Sequence, residues 1–356
     1  MSAWSKPARP GAAEPLVDGV KLVGSQLIVW HHLAFYGPMS DVVAPLAPAL
    51  FDALYDHGRL AVQAFLVVGG FLAGRSLCRT VSPGAGERGL RTLLATLAAR
   101  YRRLVVPLLA ALALAVLAGA LARHLGHPEA PAAAGWRDVL AHVFLLQDIV
   151  GVDALSAGVW YVAVDFQLFT LLAVLVWTLQ APQPRSCRLV AIACVALTAL
   201  SLSWWNRQPQ LDAWAPYFFG AYGLGVIAWL SAQGERRTLG ALGIALLVAV
   251  ALWLQWRSRI AVAGVVACAL ALLAGRPREW STPRWVARGA AISYEVFLVH
   301  YPVMLAVGSV VHRLDPDSLP LHATGLLASW ALSLAAGAAL HRWLVRGGSR
   351  PAPVSA

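Results

Sequence analysis

The sequence predicts an all-α membrane protein, a bundle of about ten transmembrane helices with both termini in the cytoplasm. Three observations lead there. Of the 356 residues, 59% are hydrophobic and only 13% charged, too apolar for a soluble chain of this length. Apolar runs long enough to cross a hydrocarbon core of about 30 Å recur from residue 20 to residue 345, with Pro, Gly and Arg clusters between them. The basic residues alternate loop by loop, as orientation in a bilayer requires. Helices follow because open strands cannot satisfy their backbone in lipid, and the ten-residue alternation of an outer-membrane barrel is missing.

The elements follow in order. Residues 1–19 contain Pro7, Pro10 and Pro15 and no apolar run, which reads as a cytoplasmic tail rather than a signal peptide. Residues 20–345 form the ten-helix domain and 346–356 a second cytoplasmic tail. The spans fall at about 20–36, 60–78, 104–122, 158–180, 187–205, 214–231, 239–256, 259–275, 290–311 and 323–344. The first carries Lys21, His31 and His32; the third is entered through Arg100, Arg102 and Arg103. The fourth opens on Trp160 and Tyr161 and carries Asp165; the ninth carries Glu295, His300 and Pro302. Gly69, Gly70 and Gly74 in the second span and Gly220, Gly223 and Gly225 in the sixth mark close helix contacts. Most of the fifteen tryptophans cluster at span ends as an interface belt.

Charge sets the orientation. With the N-terminus inside, 21 of the 28 Lys and Arg residues fall in the cytoplasm and seven outside. Topology therefore explains the net charge of +11 without a polyanion, and nucleic acid is not an expected partner. The expected location is the cell inner membrane, crossed many times. The cysteines Cys78, Cys187, Cys194 and Cys268 lie within or near spans and lack any CxxC spacing, so neither a disulfide framework nor a bound metal is expected.

Ionisable groups at membrane depth are costly and usually face a cavity or a partner. At about 1.5 Å per residue, His32 lies about 16 Å from the inner surface, His300 about 15 Å and Asp165 about 20 Å. Three helices distant in sequence thus bring titratable groups to similar depth, as a reaction or transport cavity would need. At about 100° per residue, His32 lies about 20° from the Lys21 face of its helix and His31 about 80° from it, so His31 is read as a structural neighbour. Glu295 could reach cytoplasmic water, pair with Arg288 or meet substrate. Pro302, after His300 and Tyr301, is expected to kink its helix and free the Leu298 carbonyl.

These residues carry a resemblance. The stretch VDGVKLVGSQLIVWHH, with Lys21 eleven residues before His32, resembles the element that opens the acyltransferase-3 family of bacterial membrane O-acyltransferases. FLVVGGFLAGR (65–75), ARYRRLVVPL (99–108), VWYVAVDFQLF (159–169) and ISYEVFLVHYPV (292–303) resemble further elements of the family, in the same order. Lys21 stands where the family has arginine, Asp165 where it has glutamate and Gly69 where serine is common. The resemblance implies a metal-free enzyme that takes an acetyl or other short acyl group from acyl-coenzyme A to sugars of surface glycans. Acyl-coenzyme A is then a donor substrate, with no permanently bound cofactor, and a glycan or lipid-linked sugar is the acceptor.

Acyl transfer needs a base for the acceptor hydroxyl and a stabiliser for the oxyanion. In this reading His32 is the base, Asp165 orients its imidazole, and His300 assists. Lys21, Arg75, Arg100, Arg102 and Arg103 hold the coenzyme A phosphates, while Trp160, Tyr161 and Glu295 meet substrate. The alternative is a secondary transporter or exporter of a small anion or sugar, since midplane His and Asp residues also relay protons. A transporter commonly shows paired halves, and residues 20–180 and 187–345 show no inverted repeat.

Overall fold

A computed structural model describes residues 13–80, 87–179, 185–233, 237–274 and 282–346, and every regular element among them is a helix. The long ones are α1 (Ala13–Phe35), α4 (Ala61–Thr80), α5 (Glu87–Leu125), α8 (Val159–Leu179), α9 (Arg185–Ser203), α10 (Ala215–Ala232), α11 (Arg237–Leu254), α12 (Ser258–Leu273), α13 (Arg284–Leu314) and α14 (Leu319–Arg346). Short helices α2 (Met39–Val43), α3 (Pro48–His57), α6 (Trp136–Val143) and α7 (Gln147–Val150) occupy the connections after α1 and α5. Eight helical segments are long and apolar enough to cross a membrane, which makes the chain a multi-pass membrane protein. The other two expected spans are α1, with Asp18 and Lys21 in its first turns, and the sixteen-residue α12.

The first helix starts at Ala13, inside the stretch read from sequence as a tail. Pro15 sits in its first turn, where an absent N–H breaks no helical bond. The remaining tail residues, 1–12 and 347–356, lie outside the described residues, as do the side chains of Cys78 and Cys187. Cys194 and Cys268 are free thiols. None of the short helices has an apolar run of membrane length, so the span pattern of the sequence does not mark them. Across Pro302 the helix α13 continues for 31 residues, so the proline does not end it.

Two helices sit at the centre of the bundle. One is α10, packed against α4, α9, α11 and α12; the other is α13, packed against α1, α5 and α14. The glycines expected at close contacts explain the first group: a Cβ on Gly70 would strike the carbonyl oxygen of Tyr222, and one on Gly225 that of Val67. Lipid tails are as apolar as leucine, so such close backbone approach, which maximises dispersion contact, replaces the hydrophobic drive of a soluble core. At the periphery Leu239, Leu242, Leu246 and Trp253 of α11 are exposed, as residues facing lipid would be. One end of the bundle carries Lys21, Arg75 and Arg103, the other the short helices; we call them the basic end and the loop end.

Candidate active site

The contact between α1 and α13 brings His32 to His300, 268 residues away, with Nδ1 of the first 2.6 Å from Nε2 of the second. The rings are 5° from parallel with centroids 4.8 Å apart. That spacing is close to the N···N distance plus the reach of each nitrogen from its own ring centre, so the rings meet edge to edge. On its other side His300 Nδ1 lies 2.6 Å from the carbonyl oxygen of Phe297. A carbonyl only accepts, so for neutral rings His300 Nδ1 carries a hydrogen and its Nε2 a lone pair. His32 Nδ1–H then donates to that lone pair, and His32 Nε2 is left without a hydrogen. The chain of bonds defines both tautomers and leaves a basic nitrogen at its end.

His31 points elsewhere. Its Nδ1–H donates to the Leu54 carbonyl of α3 at 2.9 Å, and Gly58 lies directly against its Cβ. The helical-wheel separation of the two adjacent histidines therefore holds in three dimensions.

Asp165 does not orient His32, contrary to the expectation from sequence. Arg100 Nη2 donates to both carboxylate oxygens, at 2.8 and 2.5 Å. The pair is largely buried, with side-chain exposures of 21% and 6%. A guanidinium at this depth must be neutralised, and a short carboxylate on the facing helix does so; the pairing also moves Arg100 away from the open mouth where sequence placed it. The Arg100 guanidinium lies 5.0 Å over the ring of Phe169, and Tyr161, Tyr222 and Tyr294 are its and Asp165's electrostatic neighbours. Phe297 joins the two centres: its ring is 5.7 Å from Tyr161 and 6.0 Å from His300.

At the basic end, Asp18, Arg103, Arg100 and Arg75 are the charged neighbours of Lys21. Arg100 and Arg103 share one face of α5, being three residues apart. Arg102 is exposed and is not among those neighbours. The structure thus makes Lys21, Arg75 and Arg103 neighbours at the basic end, with Arg100 turned inward from them to Asp165. Of the remaining candidates, Trp160 lines a wide cavity at the loop end and packs on Phe218 with ring centroids 5.5 Å apart. Tyr161, beside it, turns inward to Phe65 and Phe297. Glu295 is buried and accepts a bond from His341 Nδ1 of α14 at 3.0 Å. That contact makes Glu295 part of the α13–α14 seam.

Sequence reasoning missed Tyr222 and Tyr294. Depth was reckoned for His, Asp and Glu, whereas a neutral phenol passes as an interface residue. The signal was there for Tyr222, which sits among the helix-contact glycines Gly220, Gly223 and Gly225 in mid-span rather than at an end.

The chain matches a family model, an acyltransferase domain of the acyltransferase-3 type, over residues 15–340. No curated protein and no solved structure matches it.

Proposed function

The chain belongs to the acyltransferase-3 family, and on that premise we propose that it moves an acetyl or other short acyl group from acyl-coenzyme A to a hydroxyl of an extracytoplasmic glycan. The observation that carries the mechanism is the hydrogen-bonded series Phe297 carbonyl, His300, His32, which ends on the unprotonated Nε2 of His32. In this reading the acceptor hydroxyl gives its proton to that nitrogen as its oxygen attacks the thioester carbonyl. The tetrahedral oxyanion collapses, the carbon–sulfur bond breaks, and the departing thiolate takes the proton back from His32. The products are an ester and coenzyme A, and the enzyme returns to its starting state. His300 supports the transient imidazolium by accepting from its Nδ1–H, the part first assigned to Asp165.

Lys21, Arg75 and Arg103 hold the coenzyme A phosphates by charge-assisted bonds, with the exposed Arg102 at the rim of the same site. Arg100, fixed by Asp165, stands between those phosphates and the reacting carbonyl as a fixed positive charge. The basic end then faces the cytoplasm of a bacterial inner membrane, as the distribution of cations favours, and the acceptor enters from the loop end. The test is transfer of label from acetyl-coenzyme A to an acceptor glycan by the protein in nanodiscs. Formation of acceptor ester by the wild type but not by His32→Ala supports the reading; uptake of sugar into vesicles without ester would support transport instead.

A further inference from the structure

A cavity at the loop end has a volume of about 960 Å³, at the upper end of the roughly 300–1,000 Å³ of small-molecule sites. Its floor is α8: Trp160 precedes Tyr161, and Val164 precedes Asp165. Arg59 on its wall is a charged neighbour of His31. The cavity therefore borders α8 at the residues next to Tyr161 and Asp165, at the end of the bundle opposite Lys21, Arg75 and Arg103.

Two of its residues form an unusual pair. Arg257 and Arg259 flank the start of α12. Arg257 Nη2 donates to the Leu202 carbonyl at 2.8 Å and Nη1 to the Asn206 carbonyl at 3.0 Å and to Asn206 Oδ1. Arg259 donates to the Tyr217 hydroxyl at 2.8 Å and to the Asn206 carbonyl at 2.9 Å. Every one of these bonds goes to a neutral oxygen. Burial beside Arg259 and Arg207 pulls the Arg257 guanidinium down to about 10, the mark of cations crowded without counter-charge. The cavity also holds Asp56, Asp148, Asp153 and Asp212, yet among the described residues none is paired with these arginines. Asp148 and Asp212 instead lie close enough to repel each other.

We propose that this cavity binds the acceptor sugar and selects one that bears an anionic group, held by Arg257 and Arg259, with a ring face on Trp160 and hydroxyls on the carboxylates. Carbonyl-anchored guanidiniums are rigid forks whose outer N–H edges match a carboxylate or phosphate, and an indole supplies the flat apolar surface that a sugar ring covers. This inference rests on the acyl-transfer reading for the word acceptor, but not for the binding itself.

Binding is therefore measured without turnover, by calorimetry on the His32→Ala protein in nanodiscs, using trigalacturonate, a singly phosphorylated maltotriose and neutral maltotriose. The expected result is at least about tenfold tighter binding of one or both anionic sugars than of maltotriose, as one charge-assisted bond supplies. The preference should be lost in Arg259→Gln and weakened but not abolished in Arg259→Lys, which keeps the charge without the fork; thermal unfolding of both variants serves as the folding control. Which anionic probe binds distinguishes a uronate from a phosphate source. Equal binding of charged and neutral sugars, or a preference that Arg259→Gln leaves intact, overturns the proposal. Anion-selective binding with no ester formed by the wild-type chain would instead overturn the acyl-transfer reading and leave this one standing.

Discussion

One nitrogen of Arg100, Nη2, holds both carboxylate oxygens of Asp165, and the pair ties α5 to α8 inside the bundle. Removing either member leaves the other charge buried without its partner, which costs about 3–5 kcal/mol in such settings. Arg100→Met and Asp165→Leu should therefore each lower the midpoint of thermal unfolding in detergent. The double variant should recover much of the loss, because apolar groups of similar volume replace a buried pair at little cost. Unfolding followed by size-exclusion fluorescence checks this. If the double variant is as unstable as the sum of the singles, the two charges do not compensate each other.

The fold was legible because each membrane-length apolar run is a helix, and no other structure satisfies its backbone in lipid. The meeting of His32 with His300 was legible because both reach a similar depth, though they lie on helices from opposite ends of the chain. Depth cannot say which partner a group takes. Asp165 was assigned to His32 because both lie near the midplane, but lateral position depends on which helices are neighbours, and α8 faces α5. The pairing of Glu295 with His341 was unreadable for the same reason, since it depends on how α14 lies along α13. The arginines of the loop end looked like residue from the topology count; only the chain's return past Asn206 shows them gathered.

Orientation can be tested by labelling. In a background with the four native cysteines replaced by serine, Ala132→Cys at the loop end should react with an impermeant maleimide in intact cells. Gln233→Cys, exposed after α10 at the basic end, should react only once the membrane is opened. The reverse pattern would invert the assignment and place the donor site outside.

The loop end should loosen in acid through His142, which is buried in α6 outside the membrane spans. Its Nδ1–H donates to the Asp138 carbonyl at 2.7 Å, and its Nε2 accepts from the Leu155 N–H at 3.1 Å. Burial holds its pKa below the ordinary 6.5, so the folded ring stays neutral. A depressed histidine pKa gives stability that is full above about pH 6.5 and is lost as pH falls from there toward the folded value. Protonation also removes the acceptor that Leu155 uses. Hydrogen exchange of the segment around Leu155, corrected for intrinsic rate, should therefore accelerate between pH 7.5 and pH 5.5 in the wild type. His142→Asn should exchange fast at both values; an unchanged wild-type rate across that range would remove the histidine from this role.

If His32 Nε2 is the base, His32→Ala should cost about 10²- to 10⁴-fold in ester formation at unchanged protein level. His300 acts through His32, so His300→Ala should leave the base in place but free its tautomer; part of the population would then present Nδ1 rather than Nε2 to the substrate. The loss should be smaller than for His32→Ala. Because the second ring supports the imidazolium, the loss should also appear in kcat rather than in the KM for acetyl-coenzyme A, which binds at the other end of the site. His31→Ala removes one bond to the Leu54 carbonyl, worth about 0.5–1.5 kcal/mol, and should lower stability while leaving the rate of the folded fraction within a few fold. The pH profile separates the roles further. In the wild type the rate should fall as His32 is protonated in acid, and that limb should shift in His300→Ala, since the neighbouring ring no longer shares the proton. Full activity in His300→Ala with an unshifted profile would mean that the 2.6 Å contact between the two rings is structural, and the base would have to act alone.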